Sequence, residues 1–283
     1  MNLSDWIGRS ESVSDVITAT PFAALAATLD RTPERPAAGV LLPALWHWLY
    51  FLPLHRQSDI GPDGHAKRGG FMPPVPLPRR MWAGSQFEFH HPLRVGDPVV
   101  RKSTIHEVEE KSGRTGPLVF VKVRHEIGRE DEPAIAITEF HDIVYREAAK
   151  KGDAPPAPRP APTSVDAAWE RRWVPDDVLL FRYSALTFNG HRIHYDRRYV
   201  TVVEGYPGLI VHGPLLATLM LDLLRHRLPD AMVARYEFRA MKPVFDIHPF
   251  FVCGEPMPDG KTFHLWVRDH EGALAMDATA VTA

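Results

Sequence analysis

The fold and the chemistry of this chain centre on residues 181–224, FRYSALTFNGHRIHYDRRYVTVVEGYPGLIVHGPLLATLMLDLL. This stretch contains two histidine motifs, NGHRIHYD at 189–196 and VHGP at 211–214, separated by a loop rich in Gly and Pro. The second motif runs directly into an apolar segment that predicts a buried helix over 213–226. A polar loop that feeds the start of a helix can place an imidazole beside free backbone N–H groups, which suits chemistry on a carbonyl or thioester.

The two motifs resemble those of the MaoC-like, R-specific enoyl-thioester hydratases, whose loop reads Asp-x-Asn-Pro-Ile-His-x-Asp and whose helix begins Val-His-Gly-x-Leu. Within that family the chain is most similar to the subgroup of hydroxyacyl-thioester dehydratase type 2 and the bacterial itaconyl-CoA and mesaconyl-C4-CoA hydratases. The resemblance covers most of the chain, weakly before residue 70 and strongly over 181–224. It implies an α+β double hot-dog fold, in which two antiparallel sheets each wrap a central helix.

Composition excludes several other classes of protein. The chain has 283 residues, enough for one large domain or two ordinary ones, and its net charge of −2 with mixed signs argues against nucleic acid as a partner. Cys253 is the single cysteine, so no internal disulfide forms and a reducing compartment is indicated. We see no signal peptide, and the longest apolar runs contain His or Pro and are too short to cross a membrane. We therefore expect a cytoplasmic protein with no membrane partner.

Periodicity and composition divide the chain into two similar halves. Strands are predicted at 85–90, 98–111, 118–128 and 135–146, then near 178–183 and at 233–240, 250–256, 262–269 and 273–282. Helices are predicted at 22–29 and 42–52 in the first half, and the long Gly/Pro-rich loop at 55–80 is expected to be functional or mobile. The predicted units are a degenerate N-terminal hot-dog domain at 1–148, a Pro/Ala-rich linker at 149–172 and a catalytic hot-dog domain at 173–283.

The candidate catalytic residues follow from what hydration of an enoyl thioester requires, namely a base for water, donors for the developing oxyanion and an acid for C2. His194 is the candidate base because imidazole titrates near neutral pH, although a histidine in a loop can also serve only as a hydrogen-bonding group. By resemblance, the N–H of Gly213 would bind the oxyanion; the alternative is close packing of the helix against the sheet. Asp196 would orient the loop or His194, or simply cap a turn.

The loop departs from the family motif at three positions. Asn189 stands where the family has a catalytic aspartate, and a carboxamide can hold a water molecule but cannot transfer protons. Either His194 performs both proton transfers while Asn189 positions water, or the activity has changed or been lost. His191 and Arg192 replace Asn and Pro, which adds polarity at the mouth of the site. His212 is expected to make a structural hydrogen bond, with substrate contact as the alternative.

The segment RRMWAG at 79–84 resembles the one that lines the acyl pocket in this subgroup. A dicarboxylic acyl group would need a cationic partner there, because burying an unpaired carboxylate is costly. The candidates are Arg79, Arg80 and Arg192, and the ordinary alternative is a solvent-facing arginine. Trp82 and Gly84 of this segment are predicted to contact the substrate; Trp82 would form a wall of the pocket, or else fill the core.

These residues predict a hydro-lyase that adds water to a short 2-enoyl-CoA such as itaconyl-CoA or mesaconyl-C4-CoA. No cofactor beyond the coenzyme A of the substrate is expected, because motifs for nucleotides and for a serine nucleophile are absent and the family is metal-free. Two alternatives remain open: a 3-hydroxyacyl-thioester dehydratase of fatty-acid metabolism, and a hot-dog protein that binds acyl-CoA without turnover. A homodimer is expected by fold analogy.

Overall fold

The computed structural model describes residues 2–32, 35–113, 116–147, 159–162 and 169–283. Its strands are β1 (Ser10–Val16), β2 (Arg79–Phe89), β3 (Pro98–Gly113), β4 (Gly116–Arg129), β5 (Ile135–Arg146), β6 (Trp169–Trp173), β7 (Val233–Ala240), β8 (Phe250–Pro256), β9 (Thr262–Arg268) and β10 (Leu274–Thr282). Its α-helices are α1 (Ala19–Thr28), α2 (Asp177–Thr187) and α3 (Gly213–Arg227). Within these residues the strands form one antiparallel sheet in the order β1-β3-β4-β5-β2-β7-β10-β9-β8-β6.

The two halves of the sheet meet where β2 pairs with β7, a junction that we call the seam. Residues 84–88 of β2 pair there with residues 235–239 of β7. Gly84 fits this junction because a Cβ at its position would lie 2.4 Å from the carbonyl oxygen of Phe238. The two predicted sheets are therefore joined edge to edge, and a side chain at position 84 would force them apart.

Helix α3 is the central helix of the C-terminal half and is buried over most of its length. Pro214 lies in its first turn, where a missing N–H costs nothing, and basic residues in its last turn complement the helix dipole. Asp222, 1% exposed, projects from α3 and forms ion pairs with Arg31, Arg171 and Arg225. Since Arg31 follows α1 and Arg171 lies in β6, this one carboxylate connects α3 to both halves.

Strand β5 of the N-terminal half carries a buried carboxylate, that of Glu139. Glu139 is 3% exposed and lies 3.3 Å from the Nε2 atom of His47 and 3.3 Å from the indole nitrogen of Trp48. His141, two residues further along β5, packs at 4.0 Å against the ring of Trp82. Helix α1 has only ten residues, so this half lacks a counterpart to α3 of equal length.

Two sequence-based element predictions are wrong. Residues 42–52 form no α-helix; the chain makes only a 3₁₀ turn at Trp46–Leu49, with Leu45 and Phe51 at φ 68° and 55° on either side. The apolar residues of segment 42–52 pack into the core as a loop. Residues 178–183 are not a strand but part of α2, because the side chain of Asp176 caps the helix by accepting the N–H of Leu179 at 2.7 Å.

The predicted linker at 149–172 lies mostly outside the described residues, which omit 148–158 and 163–168. Its last four residues, 169–172, belong to β6, which pairs with β8 at the edge of the sheet. The division at 148 and 172 therefore stays a prediction, apart from this strand. Among the helices of the described ranges, none combines the length and apolar character needed to cross a membrane.

Candidate active site

The loop that follows α2 is shaped by Asn189. Helix α2 ends at Phe188 in a left-handed conformation, and the backbone N–H of Asn189 then donates to the carbonyl of Ser184 at 2.9 Å. The side-chain oxygen of Asn189 accepts the N–H of His191 at 3.0 Å. The NH₂ group of Asn189 and the second lone pair of its oxygen remain to orient a water molecule. Its predicted role in positioning water stays a prediction.

His194 is held inside the protein by a short 3₁₀ turn at Arg192–His194. Its Nδ1 atom lies 2.7 Å from the carbonyl oxygen of Ile210, so Nδ1 carries the hydrogen and Nε2 is left as the acceptor. Burial lowers the pKa of His194 to about 4, against the opposing hydrogen bond to Ile210. The side chain is therefore a neutral base at physiological pH, with one nitrogen free to take a proton.

His212 packs directly against this base. Its ring stacks on that of His194 at 3.8 Å, and its Nε2 atom lies 2.8 Å from the hydroxyl of Ser184. Burial, followed by the charges of the neighbouring histidines, holds the pKa of His212 well below its ordinary value. The structural hydrogen bond predicted for His212 is thus present, and a neutral His212 packs flat against the ring of His194.

Gly213 begins α3 beside the two stacked rings. Within the described ranges its N–H has no protein acceptor, as is usual in the first turn of a helix. A Cβ at Gly213 would lie 3.9 Å from the methyl group of Met276, an ordinary van der Waals distance. Packing against the sheet therefore does not require glycine here, which favours the interpretation that the free N–H faces substrate.

Asp196 and Arg192 hold the loop together. Asp196 accepts two hydrogen bonds from the guanidinium of Arg192, at 3.0 and 2.7 Å, and a third from the N–H of Tyr199 at 2.9 Å. Those partners, Tyr199 first, lower the pKa of Asp196. Arg192 also donates to the carbonyl of Pro62 at 2.9 Å. Asp196 thus orients the loop rather than the ring of His194, and the charge of Arg192 is already paired.

A turn of the N-terminal half, residues 61–66, docks onto this loop. The backbone N–H of Arg192 donates to the carbonyl of Asp63 at 2.9 Å. Gly64 has a φ of +92°, and a Cβ there would lie 1.8 Å from the carbonyl oxygen of Gly190. No other residue allows both this conformation and this approach, so Gly64 sets the distance between the two loops.

The docked turn brings two further titratable residues to the site. The Nδ1 atom of His65 lies 3.1 Å from a carboxylate oxygen of Asp63. The ring of His65 packs at 4.0 Å against His191, whose ring meets that of His194 edge-on at 5.4 Å. Sequence reasoning missed Asp63 and His65, although the Gly/Pro-rich loop that contains them was expected to be functional or mobile. The fold brings a carboxylate oxygen of Asp63 within 4.8 Å of a ring nitrogen of His191.

In the substrate-free protein the electrostatics of this cluster favour an ionised Asp63 and neutral histidines. Burial raises the pKa of Asp63, but the hydrogen bonds and charge of His65 outweigh it, and the net pKa lies below its usual range. Burial lowers the pKa of His65; Asp63 opposes this shift, while the charges of Arg80 and Arg68 add to it. Burial and the charge of His65 both lower the pKa of His191.

The three candidate arginines have different surroundings. Arg79 donates to the hydroxyl of Tyr206 at 3.1 Å and lies 3.7 Å from the carboxylate of Glu204. Arg192 is bound to Asp196, as described above. Arg80 is half-buried and has no carboxylate within ion-pair distance among the described residues. After burial itself, its charge contributes to the low pKa values of His65, His141 and His191, which places Arg80 beside the loop at 189–196.

Trp82 lies on the same strand, two residues beyond Arg80. Its indole N–H points at the carbonyl of Gly84 at 2.9 Å and the hydroxyl of Ser85 at 3.0 Å. Its ring lies between His141 at 4.0 Å and Trp48 at 5.2 Å. Trp82 is partly buried against the main core, so it both fills core and leaves a face next to Arg80.

A long helix wrapped by antiparallel strands, with a buried histidine at its start, defines the hot-dog class of thioester hydratases and dehydratases. The chain belongs to the family of hydroxyacyl-thioester dehydratase type 2, whose model matches residues 45–246. The family resemblance inferred from the two histidine motifs is thereby confirmed.

Two relatives and one solved structure illustrate this membership. The chain is 48% identical to a mesaconyl-C(4)-CoA hydratase of Chloroflexus aurantiacus, over 97% of this chain and 95% of that protein. It is 26% identical to the mitochondrial hydroxyacyl-thioester dehydratase type 2 of Schizosaccharomyces pombe, over 90% and 91% of the two chains. A conserved hypothetical protein of Mycobacterium tuberculosis with a double hot-dog fold matches with a TM-score of 0.55 and 16% identity, over 98% and 96%. The predicted double hot-dog fold is confirmed.

Proposed function

We propose that this protein is a hydro-lyase that reversibly adds water to a short, dicarboxylic 2-enoyl-CoA, with mesaconyl-C4-CoA as its substrate and itaconyl-CoA as the nearest alternative. The observation that carries this proposal is the neutral imidazole of His194, whose ring stacks at 3.8 Å on that of His212, the residue before the helix start at Gly213. The 48% identity to a mesaconyl-C(4)-CoA hydratase supports the choice of substrate.

The site can perform hydration with few groups. His194 takes a proton from water as the water oxygen bonds to C3, and the amide of Asn189 holds that water. The C2=C3 electron pair moves toward the thioester oxygen, where the N–H of Gly213 and the positive end of α3 stabilise the charge. Proton delivery to C2 completes the addition.

The free carboxylate of the substrate binds Arg80. Arg79 and Arg192 are engaged with Glu204 and Asp196, whereas Arg80 keeps its charge available beside the catalytic loop. Because Arg80 is half-buried, a carboxylate paired with it is less hydrated and more strongly held than at an open surface. Trp82 forms the adjoining wall of the acyl pocket.

Coenzyme A lies along the face between the two halves, and no cofactor beyond it takes part. The protein acts in the cytoplasm as a homodimer, a state common among closed symmetric assemblies. Size-exclusion chromatography with light scattering tests the dimer, and activity after dialysis against EDTA tests the absence of a metal.

Hydration followed by loss of enoyl-thioester absorbance, with product mass determined, tests the reaction. The panel is mesaconyl-C4-CoA, itaconyl-CoA, crotonyl-CoA and a medium-chain 2-enoyl-CoA, with His194→Ala as the inactive control. Turnover of the dicarboxylic substrates that is lost in His194→Ala is the expected result. Turnover of the medium-chain substrate alone would instead place the protein in fatty-acid metabolism, and binding without turnover would identify a non-catalytic acyl-CoA-binding protein.

A further inference from the structure

We infer that Asp63 and His65 form a second proton-transfer pair of this active site, in which His65 delivers the proton taken up by C2 and Asp63 positions and charges its ring. The inference rests on the proposed hydration. It assigns to the N-terminal half a chemical role, in addition to its binding of the acyl group.

The need for such a pair arises from Asn189. A carboxamide neither takes up nor releases protons near neutral pH, and the oxygen of Asn189 already accepts the N–H of His191. Asp196 is also unsuitable, because its two oxygens hold Arg192 and Tyr199. The catalytic loop itself therefore offers no second carboxylate for proton transfer.

The docked turn supplies the missing group. Side-chain polar atoms of Asp63, His65 and His191 lie within 4.8 Å of one another, and His191 in turn contacts His194. With Nδ1 of His65 directed at Asp63, its Nε2 is the nitrogen left for a substrate atom. This is the arrangement in which a carboxylate fixes the tautomer of an imidazole and stabilises its protonated form.

The position of the turn is built into the fold rather than accidental. The backbone bond from Arg192 to Asp63, the bond from Arg192 to Pro62 and the close approach of Gly64 to Gly190 all join the same two loops. A turn that served only to connect two strands would not need a glycine at a contact this close. The docking holds His65 at a fixed distance from the base.

The proton balance closes in one cycle. Neutral His194 takes a proton from water as the C–O bond to C3 forms, and the C2=C3 electron pair moves into the thioester enolate. Protonated His65 gives its Nε2 proton to C2, and the enolate collapses to the carbonyl. His194 is then protonated and His65 neutral; His194 releases its proton to solvent, and His65 takes one up from solvent. One water is added, and no proton is gained or lost.

Substrate binding favours the charged form of His65. Burial opposes protonation of His65, Asp63 favours it, and the charges of Arg80 and Arg68 oppose it. The ring of His191 also packs against His65, at 4.0 Å. Arg68 is held by backbone carbonyls of residues 75, 77 and 78. A substrate carboxylate on Arg80 would offset one of the opposing charges. Binding of a dicarboxylic acyl group would therefore raise the pKa of His65 and favour its protonated form.

The test measures kcat and KM against pH for mesaconyl-C4-CoA in His65→Gln and Asp63→Asn, with deuterium uptake at C2 in D₂O. We expect kcat to fall at least about 100-fold in His65→Gln, with KM little changed and the basic limb of the kcat profile lost. In Asp63→Asn, which keeps the shape of the side chain, the basic limb should move to lower pH, because Asp63 raises the pKa of His65.

A matched control is the pair Asp277 and His264, whose side chains meet at 2.7 Å on β10 and β9. His264 and His65 are similarly exposed, at 26% and 27%, and His264→Gln should leave the profile unchanged. A wild-type profile in His65→Gln, or a lower kcat with an unaltered basic limb, would overturn the inference while wild-type turnover upholds the hydration. Absence of turnover in the wild type would overturn both.

Discussion

Replacement of Arg80 by methionine tests how the protein selects a dicarboxylic substrate. Methionine keeps much of the length and apolar stem of arginine but removes its charge and donors. Arg80 has no carboxylate partner within the described part of the chain, so this change breaks no ion pair there. The loss should therefore fall on the substrate.

The magnitude follows from the exposure of the side chain. A hydrogen bond to a charged group contributes about 1.5–3 kcal/mol, and the half-exposed position of Arg80 favours the lower part of that range. About 1.5–2 kcal/mol corresponds to a decrease of roughly 10- to 30-fold in kcat/KM for mesaconyl-C4-CoA. Crotonyl-CoA has no free carboxylate on its acyl group, so its kcat/KM should change little.

The assay compares the two substrates at one pH and ionic strength. Arg79→Met is the matched control, because Arg79 lies next in the chain but contacts Glu204 and Tyr206. That variant should affect both substrates alike. An equal decrease for both substrates in Arg80→Met, or a decrease confined to the dicarboxylic substrate in Arg79→Met, would refute the assignment of the carboxylate to Arg80.

Three further predictions concern pH, loop docking and stability. Because burial lowers the pKa of His194 to about 4, kcat/KM should persist below pH 6.5 and decline only near pH 4. Between pH 6.5 and 4 the unfolded chain is protonated at His194 while the folded protein is not, so this residue reduces the stability of the fold as the pH falls through that range. Acid titration followed by circular dichroism measures this loss of stability. Gly64→Ala should lower kcat for every substrate and also lower the urea midpoint, because the new methyl group meets the carbonyl of Gly190 and alanine is strained at a φ of +92°. Asp222→Asn should reduce the free energy of unfolding in urea by about 3 kcal/mol, since three partly exposed arginines lose a buried partner; a change under about 1 kcal/mol would contradict this role.

Local patterns in the sequence predicted most of the sheet and the centre of the site. Strands β5, β7 and β8 have the predicted bounds, because alternating or β-branched residues there match a surface buried on one side. Helix α3 ends within one residue of its predicted end. His194 packs against His212, the residue before Gly213, because a short loop and a helix start that are close in sequence are also close in space.

The failures come from interactions that local patterns do not encode. The apolar run at 42–52 was assigned to a helix by composition, whereas backbone turns place it in the core as a loop. Helix α2 was missed because its apolar residues do not form one stripe and its cap was overlooked. Asp63 and His65 reach His191 only after the sheet brings the two halves together, so no spacing in the sequence reveals them.

The seam has a consequence for how substrate range can change over evolutionary time. The residues proposed to bind the acyl group, Arg80 and Trp82, lie in the N-terminal half. His194 and Gly213 lie in the C-terminal half. The two halves are joined by a short run of backbone pairing that demands glycine at position 84. Recombination near the middle of the gene would thus join a different set of acyl-binding residues to the same C-terminal half and change the substrate range. The incoming N-terminal half would have to keep Gly84 and the docking turn.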